Sequence, residues 1–190
     1  MSRGWPALAV GLAVAVGGAA RAEELDRVVA VVRGRAAEEP HVLTLSRVEE
    51  ETRIALVARG GMRAATEPLD ADALRAGLDW LVGQTLLAEE AARLRVFDVD
   101  AATSRGELDR FRGRFASPSE YRDFLARLDL PEAELEAILR RTLRVSLYVE
   151  SKLALAGRSP DRAQAETEAL LRDLRARAEV RILGLPEGRR

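Results

Sequence analysis

Few residues in this chain have types and spacing that could do chemistry. His41 is the single histidine and there is no cysteine, so a Ser-His-Asp or Cys-His relay would have to be assembled around His41, which lies in a strand-like segment. A structural or exposed histidine is the simpler reading. Zinc needs clustered thiolate or imidazole ligands that this composition lacks, so neither a metal nor a cofactor is expected. Asp98-Val99-Asp100 offers oxygen ligands for a hard cation, but the loop has neither the glycine nor the distal glutamate of a calcium-binding hand. Helix capping accounts for these aspartates better. Glu49, Glu50 and Glu51 are adjacent acids near a helix start, where the helix dipole favours negative charge, and they read as a solvated face, not an acid/base pair. No glycine-rich or Walker-type phosphate loop occurs, and no catalytic residue is expected.

The remaining chemical candidate is Arg110-Phe111-Arg112-Gly113-Arg114-Phe115, whose interleaved arginines and aromatics could stack on single-stranded nucleic acid. As a strand, its three arginines would share a face. As a helix, Phe111 and Phe115 share a face with Leu108, the arginines spread outwards, and Gly113 costs about 1 kcal/mol. The helical reading is preferred, and no nucleic-acid partner is expected. By size, Trp80, Phe111, Phe115, Tyr121, Phe124 and Tyr148 are the residues able to offer an apolar surface to a polypeptide, although each could equally fill a core.

The elements that would position these residues follow an export-like leader. Arg3, the small apolar run Ala7 to Val16 and the Ala20-Arg21-Ala22 cleavage pattern ahead of Glu23 and Glu24 have the layout of a secretory signal peptide over residues 1–22. The run is well short of the roughly 20 residues that span a bilayer. Cleavage after Ala22 and no stable membrane insertion are therefore expected, with a retained anchor as the alternative. Of 30 basic and 31 acidic residues, the leader takes Arg3 and Arg21 and no acid, which leaves 28 against 31, a net charge of −3. That balance does not suit a dedicated nucleic-acid binder. Without cysteine, stability in an oxidising compartment must come from a packed core.

In residues 23–190, Asp26 to Val32 and His41 to Leu45 read as paired strands, giving a hairpin over 23–45. Ser46 and Glu49 read as a capping box for a helix running to about Arg59, ended by Gly60 and Gly61. Met62 to Leu69 reads as a loop. A long helix follows with Leu74, Leu78, Leu81, Val82, Thr85 and Ala92 on one side and Trp80 at its flank. Asp98 and Asp100 precede the helix of Leu108, Phe111 and Phe115; Ser117-Pro118 with Glu120 opens another; Pro131 opens the longest. The helical body thus covers 46–157. A closing unit over 160–184 has a helix with Leu170, Leu171 and Leu174 inward, then a strand over Val180 to Leu183. A lone terminal strand cannot satisfy its backbone, so it is expected to pair with the N-terminal strands. The expected fold is mainly α, in one domain, with a small β-element built from both ends.

Leu78, Leu81, Val82, Leu86, Leu87, Glu90 and Ala91 form an L-x-x-L-V-x-x-x-L-L-x-x-E-A helix, followed by short cap-rich helices through Leu128 and the long helix from Pro131. In order and lengths this stretch resembles the chaperone domain of SurA-type periplasmic proteins. The resemblance implies a periplasmic chaperone that reversibly binds unfolded or unassembled envelope proteins, including those of the outer membrane. In that family parvulin isomerase domains are inserted before the closing helix. Here that position holds only Gly157 to Pro160, so no isomerase activity is expected. The alternative function is a dedicated assembly scaffold that binds one folded partner, and a third reading is an isomerase whose catalytic domain another chain supplies.

Overall fold

A computed structural model describes residues 26–35, 37, 39–94, 97–153 and 159–185. The expected signal peptide lies outside the described residues, as do Gly157 and Arg158 of the junction. Valine density makes the first strand, β1 (Val28–Arg33), which pairs antiparallel with β2 (His41–Thr44) on one side and β3 (Glu179–Ile182) on the other. The closing strand therefore joins the N-terminal pair as its backbone requires, one residue earlier than its hydropathy suggested. Val29, Ala30, Val32 and Leu43 form the buried side of this sheet.

The first helix, α1 (Leu45–Ala58), begins differently from the capping-box expectation. Thr44 is the cap, its Oγ1 accepting from the Arg47 N–H, while Ser46 lies inside the helix and its N–H donates to Asp26 Oδ1 at 3.1 Å. Glu49 is drawn to Arg53 at 2.9 Å and does not reach back to the helix start. Strand β2 runs directly into α1, so the last strand residue is also the first position with non-helical backbone and a capping oxygen. Gly60 at φ +92° ends the turn after α1. The expected loop after it contains a 3₁₀ turn, Met62–Ala65, pinned by Arg53 donating to the Ala64 and Glu67 carbonyls.

Helix α2 (Ala71–Leu94) is the axis of the molecule. Leu78, Leu81, Val82 and Leu86 cover the inner side of the sheet, while Leu87 and Ala91 pack elsewhere. Ala92, placed on the apolar stripe by spacing, is exposed, and Ala91 takes the buried position. Helix α1 crosses α2 at Gly77, where an added Cβ would come within 2.0 Å of Thr52 Oγ1. A glycine in a helix interior is here the condition for backbone approach. Helices α3 (Ala101–Arg112), α4 (Pro118–Arg127) and the first half of α5 (Glu132–Leu153) enclose a second apolar cluster with the end of α1. Asp100 and Ser117 cap α3 and α4 as expected, accepting from the Thr103 and Glu120 N–H groups. Gly113 is the residue just past α3, not a position within it.

The last helix, α6 (Pro160–Ala176), packs against α2 and α5. Leu170, Leu171 and Leu174 point inward as expected, yet they are only half-buried, and α6 has no fully buried residue.

Candidate functional site

A groove of roughly 510 Å³ runs between α2 and α6. Trp80, Gly83 and Leu87 come from one side of α2 at i, i+3 and i+7, and Leu171 faces them from α6. The absence of a side chain at Gly83 lets Leu171 approach, its Cδ2 lying 3.2 Å from where a Cβ would stand. Charged side chains rim this apolar floor: Arg175 donates to Asp79 Oδ1 at 2.7 Å and to the Asp79 carbonyl at 2.9 Å, with Glu168 and Arg172 further along. Trp80 is half-buried in the wall, with the Arg59 guanidinium 6.0 Å from its ring centre.

Trp80 is the one aromatic site candidate that keeps appreciable exposure. Phe111, Phe115, Tyr121 and Phe124 form a single interior cluster, with ring centres 5.4 to 5.9 Å apart. Phe111 and Phe124 are 3 % and 1 % exposed, so they fill the core and do not line a binding surface. The same holds for Tyr148, 1 % exposed and edge-on to Phe97 under α6. The reason is geometric: α3 and α4 are short, and with Leu108 and Leu125 these rings supply most of the apolar volume that closes their end of the molecule. Thus the six candidates occupy three separate places.

Phe115 and Tyr121 also border a second hollow of roughly 510 Å³ at the ends of α3, α4 and α5. Its polar groups are already committed to one another. The Tyr121 hydroxyl donates to Glu132 Oε2 at 2.7 Å and Arg112 reaches Glu132 Oε1 at 2.6 Å. Burial, followed by the bond to Glu132, pushes the Tyr121 hydroxyl up to about 12, while the Arg112 bond holds the Glu132 carboxyl below its ordinary value. The arginines of this segment face outwards, Arg110 to Glu107 and Arg112 to Asp109 and Glu132, as the helical reading requires.

His41 projects from β2 with Nε2 3.1 Å from Glu89 Oε1. Glu89 Oε1 also accepts weakly from the Gly34 N–H at 3.4 Å, and its buried Oε2 is pressed against Gly34. The adjacent cavity of roughly 330 Å³ is lined by glutamates, arginines, leucines and Gly34, with no serine, threonine or cysteine to act as a nucleophile. Among the described residues no group of acids and histidine has the spacing to hold a metal ion, and no helix is long and apolar enough to cross a membrane. Asp98 pairs with Arg144 at 3.2 Å, and Asp100 is a cap.

The acidic run at the start of α1 departs most from its sequence reading. Glu51 is 3 % exposed and takes Arg47 at 3.0 Å and Arg141 of α5 at 2.6 Å. It is an interhelical tie, not part of a solvated face. Glu50 beside it is half-buried, and burial first, then Glu134 and Glu51, pushes its carboxyl up to about 7. Single-sequence spacing could not foresee this, because Arg141 arrives from 90 residues away. The groove was missed as well, although its α2 side left a signal: Trp80, Gly83 and Leu87 share a helix face that includes an otherwise unfavourable glycine. No family model, curated protein or solved structure matches the chain.

Proposed function

We propose that this chain is an exported SurA-like holdase without parvulin domains, which binds extended apolar segments of unfolded or unassembled envelope proteins and catalyses no reaction. The supporting observation is the α2/α6 groove, an apolar floor of Gly83, Leu87 and Leu171 with Trp80 in its wall and a rim carrying both charges. Such a surface takes apolar side chains of many shapes, while Arg172 on the rim is placed to give charge-assisted hydrogen bonds to backbone carbonyls and carboxylates of a client. A carrier has to release its cargo, so an affinity near micromolar, about −8 kcal/mol, is appropriate. The six residues between Leu153 and Pro160 leave no space for an inserted isomerase domain. The leader-like residues 1–22 support a periplasmic location.

The test is an aggregation assay on residues 23–190 with urea-unfolded outer-membrane barrels and non-barrel proteins side by side. Suppression for several unrelated clients, weakened several-fold by Trp80→Ala while its melting midpoint stays close to wild type, supports the reading. No suppression of any client refutes it. A second reading, a scaffold for one folded partner, draws on Val42, Ile182 and Leu183, apolar side chains left exposed at 46 %, 55 % and 57 % around the two outer strands. A chain that ignores unfolded proteins but retains one folded partner, and loses it on Val42→Glu, would favour that reading.

A further inference from the structure

Helix α6 has the construction of a cover. It has no fully buried residue, against nine on α2 and five on α5, the two helices it lies on. Beneath it Leu87, Ala91, Val145 and Tyr148 form a buried apolar strip, roofed by the half-buried Leu170, Leu171 and Leu174. Its charges are largely satisfied within the helix: Arg162 with Glu166, Arg172 with Glu168 and Arg177 with Asp173. These i,i+4 pairs, together with strong helix formers such as Ala163, Ala165, Ala169 and Leu170, travel with α6 and keep it helical when it leaves its bed. The Ser159 side chain makes no capping bond at its N-terminal end. At the other end the chain passes within three residues into β3, which is fastened to β1, so that end is the pivot. Arg175 latches the helix to Asp79 through an exposed pair, a kind of contact that contributes little stability.

We propose that α6 is a self-inhibitory lid: in the free protein Leu170, Leu171 and Leu174 occupy the apolar strip of α2 and α5 that client side chains take once the helix swings out about its β3 end. The α2/α6 groove is then the visible edge of a longer binding surface that includes Tyr148. Client affinity is reduced by the fraction of time the lid is closed, and a change that favours opening raises the apparent association rate. This deepens the holdase reading and rests on it for the identity of the client as an extended apolar segment.

A disulfide staple tests the lid directly, because the chain contains no other cysteine. Gly83→Cys with Leu171→Cys places two thiols where Leu171 already meets Gly83. The probe is a urea-unfolded outer-membrane barrel protein diluted into residues 23–190. Oxidation should lower client affinity at least tenfold, and dithiothreitol should restore it. Independently, Arg175→Ala should speed client association several-fold. Equal binding by the oxidised and reduced forms overturns the lid while leaving the holdase reading intact. If no form binds a client, the holdase reading falls, and acrylamide quenching of Trp80, the one tryptophan in residues 23–190, then decides the lid alone. Quenching should rise in Arg175→Ala and fall on stapling, and unchanged quenching in both overturns it.

Discussion

At the residue scale, the α1–α5 seam concentrates the energetic consequences of single substitutions. Glu51 is buried between Arg47 and Arg141, so Glu51→Ala strands two guanidiniums and should lower stability by about 2 kcal/mol, less than a fully buried pair because both arginines reach solvent. A urea melt measures this. Glu50 makes stability depend on pH in the opposite sense from a carboxylate held below its ordinary value. Its carboxyl is raised from 4.5 to about 7, so between those values the folded chain keeps a proton that the unfolded chain has released. Its contribution is therefore fully present below about pH 4.5 and is lost as pH rises through about 7. Glu50→Gln should flatten that slope and exceed wild type at pH 8 by ~1 kcal/mol, after allowance for solvent screening. Melts at pH 5 and pH 8 on both proteins check it. Phe111 is a core residue, 3 % exposed. Phe111→Ala should cost about 3 to 5 kcal/mol, visible as an earlier unfolding midpoint.

At the element scale, the contacts between helices are set by small residues as much as by large ones. Gly77→Ala would drive a methyl group into Thr52, whose Oγ1 would lie 2.0 Å away, and α1 and α2 would have to part. The expected loss is about 1 to 3 kcal/mol. Thr52→Ala removes a buried hydroxyl that lacks a hydrogen-bond partner among the described residues, so alone it should cost little, and combined with Gly77→Ala it should recover part of the loss. A double-mutant cycle in urea reads the coupling directly. Helix patterning explains why α6 stands apart. Its three leucines supply a narrow stripe where α2 buries residues on more than one side, so α6 needs one neighbouring surface and α2 needs several.

At the scale of the whole molecule, the two ends of the described chain are joined by one three-stranded sheet, β2-β1-β3. Ending the chain after Ala178 would remove β3, leave β1 with an open edge and free α6 of its anchor. Amides of Val28–Arg33 should then exchange much faster, and hydrogen-exchange mass spectrometry on the truncated and full chains measures it. The same sheet holds both the first and the last packed elements in register, which is why a short terminal strand with an exposed Ile182 matters more than its four residues suggest.

Local physics made the element order legible. Asp100, Ser117 and Pro118 announce helix starts with their own atoms, and the valines of β1 favour extended backbone. Those properties belong to a residue and its near neighbours, so one sequence determines them: a mainly helical chain with a small sheet closed by its last strand. Only the tertiary structure decided which aromatics fill and which line, because Phe111 and Trp80 differ in what covers them, not in their own patterning. It likewise decided that Thr44 and not Ser46 caps α1, and that Glu51 is an interior tie, since burial and pairing depend on residues such as Arg141 that are distant along the chain and adjacent only once it has folded.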